Sequence, residues 1–156
     1  REFINGCKDI VFGAMIVGVA KAVLIIMQDG KIIDTIIYFL SSQLEGLPPV
    51  VSALGMLVIQ TFINFVIPSG SGQAATIIPL MAPLGDLMGL TREVTVLTFQ
   101  FGDGFSNLLW PTANIAIGCG IAGVPLNKWW KFFLPLFGIF FAIQVVFVVG
   151  AVLIGF

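Results

Sequence analysis

The chain has 156 residues, of which 58% are hydrophobic and only 10% charged, with a formal net charge of -1. That composition, with a mean hydropathy of +1.10, excludes an ordinary soluble domain. The lack of a basic tail, or of aromatic residues interleaved with basic ones, excludes nucleic acid as a partner.

Residues 132–156 carry no charge, and about 20 apolar residues suffice to cross a bilayer core as a helix. The expected class is therefore an all-α integral membrane protein, with the lipid bilayer as a partner. The chain opens Arg1-Glu2-Phe3 with no initiator Met and nothing of the form of a signal peptide. It is expected to be one membrane domain, 1–156, from the back part of a longer protein. Cys7 and Cys119 are far apart and the chain has no His, so both read as small apolar residues rather than as metal ligands or a disulfide framework.

In chain order, residues 9–27 predict a transmembrane helix. Its small residues Gly13, Ala14, Gly18, Ala20 and Ala22 are spaced to let another helix approach closely. Lys21 lies inside it and reads either as a snorkelling stem or as an interior charge paired with a carboxylate or a substrate. Gln28-Asp29-Gly30-Lys31 breaks the pattern. Residues 32–45 then set Ile33, Ile36, Ile37, Phe39 and Leu40 against Asp34, Ser41, Ser42 and Gln43, the periodicity of an amphipathic helix lying at the interface. Pro48-Pro49 ends it and starts the next helix.

Residues 50–88 form two apolar arms around the polar hexapeptide Pro68-Ser69-Gly70-Ser71-Gly72-Gln73. Each arm, of about 15 to 18 residues, is near or below the lower limit for a full span. The arms are either a re-entrant hairpin or two short spans with the turn on the far side. A turn that reached water would tolerate charge, and residues 46–85 carry none, so the hairpin is preferred. Non-helical backbone at that depth survives only where protein buries it or it lines a wet cavity, which marks the hexapeptide as a candidate site.

Residues 86–93 make a polar connection with Thr91 as a helix cap. Residues 94–121 predict a broken transmembrane helix, interrupted at Gly102-Asp103-Gly104 and again from Trp110-Pro111 to Asn114. Trp129 and Trp130 beside Lys128 and Lys131 have the composition of an interfacial belt. Residues 132–156 predict the last helix. If three helices cross, Arg1, Lys8, Lys128 and Lys131 share the cytoplasmic side while Lys31 and Arg92 lie opposite. The hairpin then enters from outside, and the C-terminus is outside.

The two breaks supply complementary chemistry. At the hexapeptide, Ser69 and Ser71 offer hydroxyls, Gly70 and Gly72 allow close approach, and the N-H groups opening the following arm, with Gln73, favour an anion such as a carboxylate. At the second break the expected parts are released carbonyls, the side chains of Ser106, Asn107, Thr112 and Asn114, and the carboxylate of Asp103. A charge near mid-bilayer costs at least about 2.5 kcal/mol on insertion scales, so Asp103 is read as a site for a cation, a proton or a cationic group of the substrate rather than as structure. No cofactor is implied beyond a coupling Na⁺ or H⁺, with Na⁺ held at Ser69, Asp103 and Asn107. An enzyme is not expected. Gly102-Asp103-Gly104 has the wrong order for an intramembrane aspartyl protease, and a serine protease would lack its His. A phosphate-binding loop would lack its Lys.

The strings Asn64-Phe65-Val66-Ile67-Pro68-Ser69-Gly70-Ser71-Gly72-Gln73 and Phe99-Gln100-Phe101-Gly102-Asp103-Gly104-Phe105-Ser106-Asn107 resemble the YfcC group of basic amino acid antiporters. That group is related to the anaerobic C4-dicarboxylate carriers of the ion transporter superfamily. The similarity extends to Met27-Gln28-Asp29-Gly30-Lys31 and Gly123-Val124-Pro125-Leu126-Asn127. The resemblance implies one half of an inverted-repeat transporter in a bacterial inner membrane, with this chain as the second repeat and an N-terminal repeat as its partner. Pairing with a second copy, as a homodimer, is compatible with it. In the related sodium-dicarboxylate carriers a hairpin tip and a segment of the broken helix hold sodium and substrate. Ser69-Gly70-Ser71 and Pro111-Thr112-Ala113-Asn114 match these by position. The expected function is secondary active transport of a small carboxylate-bearing solute, an amino acid, a basic one included, or a C4-dicarboxylate, by alternating access coupled to Na⁺ or H⁺ or by exchange. The alternative is an ion channel or a non-transporting membrane scaffold.

Overall fold

Prolines and glycines punctuate the apolar sequence into seven helices in the computed structural model, which describes residues 2–44 and 46–156. They are α1 (Glu2–Asp29), α2 (Ile32–Ser42), α3 (Pro49–Val66), α4 (Gly70–Leu87), α5 (Arg92–Ser106), α6 (Ala113–Ala122) and α7 (Leu126–Ile154). There is no strand among the described residues. Arg1, counted among the cations of one side, and Glu45, the expected last residue of the second helix, lie outside them.

The start signals are local. Pro48 and Pro49 open α3 with φ already near its helical value. The Thr91 hydroxyl accepts from Val94 N at 3.2 Å to cap α5, and it also donates to the carbonyl of Phe156. Between α1 and α2 the chain turns through Lys31, whose φ of 52° is the left-handed conformation that a side chain rarely adopts. Helix α1 starts seven residues before its expected beginning at 9. Helix α7 takes in Lys128 to Lys131, expected to precede it.

Helix α5 is the centre of the packing. It lies against both α3 and α4, while those two touch each other little. The arms around the hexapeptide therefore diverge from their tip instead of pairing along their length. Glycines let α5 come close. A Cβ on Gly102 would run into the Gln60 side chain and lie 3.0 Å from Thr61 N on α3, and one on Gly85 of α4 would run into Thr95. In lipid, where apolar burial drives helices together only weakly, such approach is the main source of packing energy. It also explains why Gly102-Asp103-Gly104, expected to interrupt the helix, does not. Each glycine costs only about 1 kcal/mol in a helix, and the contact with α3 requires the first.

Ala53, Met56, Leu57, Ile63, Ile77, Met81 and Val94 form the buried centre, with Val148 of α7 behind them. From α2, Ile33 and Ile37 face Ile63, Val66 and Ile67 around a small apolar gap. Its Ser42 end lies near the start of α3, where the Ser52 hydroxyl donates to Leu44 O at 3.3 Å. Among the described residues two helices, α3 and α7, are long and apolar enough to cross a membrane. At 1.5 Å per residue α3 is about 27 Å long and α7 about 43 Å.

Gly102→Ala is expected to destabilise the protein by about 1–3 kcal/mol through overpacking against α3. Gly118→Ala, where an added Cβ meets nothing within 4 Å, should stay within about 0.5 kcal/mol. Thermal unfolding of the detergent-solubilised full-length protein distinguishes the two.

Candidate functional site

Only Ile67, Pro68 and Ser69 stand outside helix at the tip between α3 and α4. Gly70, Ser71, Gly72 and Gln73, expected as part of a non-helical loop, are the first turn of α4. The cause is Ser69, an N-cap in extended conformation (φ -150°, ψ 109°). Its Oγ accepts from Gly72 N at 3.3 Å and its carbonyl from Gln73 N at 2.6 Å. The tip thus presents a helix N-terminus, whose first N-H groups and dipole favour negative charge.

What faces that N-terminus is Asp103. It lies inside α5, one turn before the end, and is 6% exposed. A Cβ built on Gly70 would lie 2.9 Å from its Oδ2, so glycine at 70 is what lets the carboxylate lie against the first turn of α4. On the other oxygen, Asn107 Nδ2 donates to Oδ1 at 3.2 Å.

The break itself is confined to residues 107–112. Carbonyls set free there were expected to be ligands, but side chains already engage several of them. Asp103 O accepts from Asn64 Nδ2 at 3.1 Å and from Asn107 Nδ2 at 2.8 Å. Leu108 O accepts from Trp129 Nε1 at 3.0 Å and Leu109 O from Trp130 Nε1 at 2.9 Å. The Ser106 hydroxyl donates to Gly102 O and accepts from Asn64 Nδ2, the latter at 2.7 Å.

Of the expected site residues, Gly70 and Asp103 are adjacent, and Asp103, Asn107 and Asn114 form a chain, with Asn114 Nδ2 donating to Asn107 Oδ1 across the break at 3.3 Å. Gln73 is buried but turns to α3, where its Nε2 donates to Gln60 Oε1 at 3.0 Å. Ser71 is exposed in the first turn of α4. Thr112 precedes α6, and its Oγ1 is buried with no partner among the described residues. Lys21 is exposed and has no ion-pair partner among them.

Two residues were missed by sequence reasoning. Gln60 and Asn64, one helical turn apart on α3, are 1% and 0% exposed. The available signal was a pair of carboxamides at i and i+4 in an otherwise apolar run. Asn64 Oδ1 and Gln73 Oε1 are both buried without a hydrogen-bond partner among the described residues. A buried acceptor left unpaired costs about 1–3 kcal/mol, so each calls for a cation or a donor.

An all-helical apolar body with its buried polar side chains gathered where helices end points to a membrane carrier. The chain belongs to the C4-dicarboxylate anaerobic carrier family, whose model matches residues 1–153. It is 41% identical over 161 aligned residues to the Escherichia coli K12 protein named "Putative basic amino acid antiporter YfcC", covering 99% of this chain and 32% of that protein. A Haemophilus influenzae protein named only as uncharacterized is 33% identical over 138 residues, 88% of this chain and 27% of the relative. The chain thus spans less than a third of the length of the curated relatives it matches. No solved structure matches it.

Asn64→Leu removes both donors that tie α3 to the end of α5. A loss of about 2 kcal/mol is expected from the two buried hydrogen bonds removed, at about 1 kcal/mol each, read as a lowered thermal midpoint. Asn64→Asp, which also removes the N-H donors and adds a charge beside Asp103, should lower it further.

Proposed function

We propose that this chain is the second of two inverted repeats of a secondary transporter, moving a small carboxylate-bearing solute by alternating access. The observation that carries the reading is the Asp103 carboxylate, buried in α5 and set against the glycine that opens α4. A buried carboxylate inside an apolar helix is costly and marks an ion or substrate path. In discontinuous-helix transporters, helix N-termini aim at anionic groups while oxygens nearby hold the cation.

In this reading α3 and α4 are a re-entrant hairpin. Arms of 18 residues each reach about 27 Å, and the tip ends beside Asp103, short of the end of the broken helix. At the opposite end Arg92 and Asp86 form an exposed ion pair at 3.0 Å, as a water-facing connection would. The substrate carboxylate binds at the tip, to the first N-H groups of α4 and the hydroxyls of Ser69 and Ser71, with Thr112 and Asn114 on the facing wall.

The coupling cation, Na⁺, a proton or a substrate ammonium group, is held by Asp103. Asn64 Oδ1 and Gln73 Oε1 are the acceptors nearby that still need a partner. One carboxylate with two carboxamide oxygens has the charge of a monovalent site. Ser106 and Asn107, expected as ligands, serve here as supports, since their polar atoms are engaged with Gly102, Asp103, Asn64 and Asn114. The relatives named above support an amino acid or a dicarboxylate as the solute, and the membrane is the bacterial inner membrane.

Uptake by the full-length transporter in proteoliposomes tests this. Asp103→Asn should lower cation-driven uptake at least tenfold while the protein remains folded. Unchanged uptake with unchanged dependence on Na⁺ and pH would remove Asp103 from coupling. Gln73→Leu, which deletes one acceptor without altering charge, should weaken the apparent cation affinity several-fold and leave the maximal rate within about twofold, a shift below 1.4 kcal/mol.

A further inference from the structure

The chain has three tryptophans, and all three donate their indole N-H to a main-chain carbonyl, two to the α5–α6 break and one from the break to α3. Trp110, inside the break, donates to Thr61 O of α3 at 2.7 Å. Trp129 and Trp130, neighbours in the first turns of α7, donate to Leu108 O and Leu109 O at 3.0 and 2.9 Å. An indole has one donor and no acceptor, so each N-H makes one directed contact. In an interfacial belt, the arrangement expected from composition, these groups would face headgroups and water.

The rings are held as well. Trp129 stacks on Phe133 at 5.4 Å between centroids and 13° between planes, and Phe133 is 2% exposed. Trp110 lies against Phe62 and Phe65 of α3 at 5.9 and 5.2 Å. The Leu108 and Leu109 carbonyls that Trp129 and Trp130 reach follow the end of α5, where the backbone lacks helical donors, while Trp110 ties the break to α3. Pro111 has no N-H to offer. A six-residue unwound segment is thereby gripped from α3 on one side and from α7 on the other.

We infer that Trp110, Trp129 and Trp130 are positioning residues, holding residues 107–112 in a single unwound conformation that keeps Asn107 and Asn114 in line with Asp103. The consequence for transport rests on the function proposed above. The hold on the break does not.

The test uses the full-length transporter in nanodiscs and proteoliposomes, with Trp129 and Trp130 replaced by benzothienylalanine, whose ring has nearly the same shape and no N-H. Val148→Ala, a cavity in the buried part of α7 far from the break, serves as the control for a merely structural loss. Hydrogen exchange of the amides at 107–110 and 112–114 should rise about tenfold in the isostere protein, the effect of roughly one net hydrogen bond, while residues 53–60 of α3 are unchanged. The KM for uptake should rise several-fold. Val148→Ala should lower the thermal midpoint and move neither readout. The inference is overturned by unchanged exchange at the break, by a rise spread evenly over α3 and α5, or by a local rise with no change in KM. Absence of uptake by the unmodified protein would instead sink the proposed function, and the exchange measurement would still decide whether the indoles hold the break.

Discussion

The carboxamide of Asn64 donates to the Asp103 carbonyl and the Ser106 hydroxyl, and through those bonds the last turn of α5 is fixed against α3. This is possible only because Gly102, on the same face, lets the two helices meet without an intervening side chain. Everything at the candidate site inherits its position from that contact. Asp103 is set at the depth of the tip, Gly70 can lie against it, and α5 ends where Trp129 and Trp130 can reach. Removing Asn64 would leave the Asp103 carbonyl to its bonds from Asn107 and would cut the polar tie between α3 and the end of α5, in a medium that offers no water to replace it.

A polar site inside an apolar body must satisfy most of its own groups, and the few that it does not satisfy are informative. Ser106 is bonded to Asn64 and to the α5 backbone, and Asn107 to Asp103 and Asn114, which makes them a frame. Asn64 and Gln73 each present one satisfied end and one unsatisfied oxygen. Membership of the C4-dicarboxylate anaerobic carrier family and the buried carboxylate both support the proposed reading. They arrive at it by different routes, one from the similarity of long sequence strings and one from where charge and carboxamides lie.

Much of this was legible in the sequence because membrane helices must close all their backbone hydrogen bonds internally, so breaks stand out. The arms on either side of the tip were placed within a few residues, and Asp103 was identified as the one carboxylate in that part of the chain that needed explaining. Other features were not legible, for distinct reasons. Gly70 to Gln73 reads as loop by composition, yet the Ser69 cap starts the helix there. Gly102-Asp103-Gly104 reads as a breaker, yet the close contact with α3 holds it helical. Gln60 and Asn64 look like isolated polar residues until the fold brings them onto α5. For Trp129 and Trp130 the composition indicates position along the chain but not the direction in which an N-H points.

The length of α7 has a mechanical consequence. Its uncharged part, residues 132–154, is about 34 Å long at 1.5 Å per residue, more than a hydrocarbon core of about 30 Å, and such excess is relieved by tilt or by local thickening of the lipid. On the reading that α7 spans, its inclination follows the thickness of the membrane around it. The same helix grips the unwound segment through its first turns, at a lever arm's distance from its middle. Lipid chain length then becomes an input to the geometry of the site, acting through a helix that contributes no ligand to it.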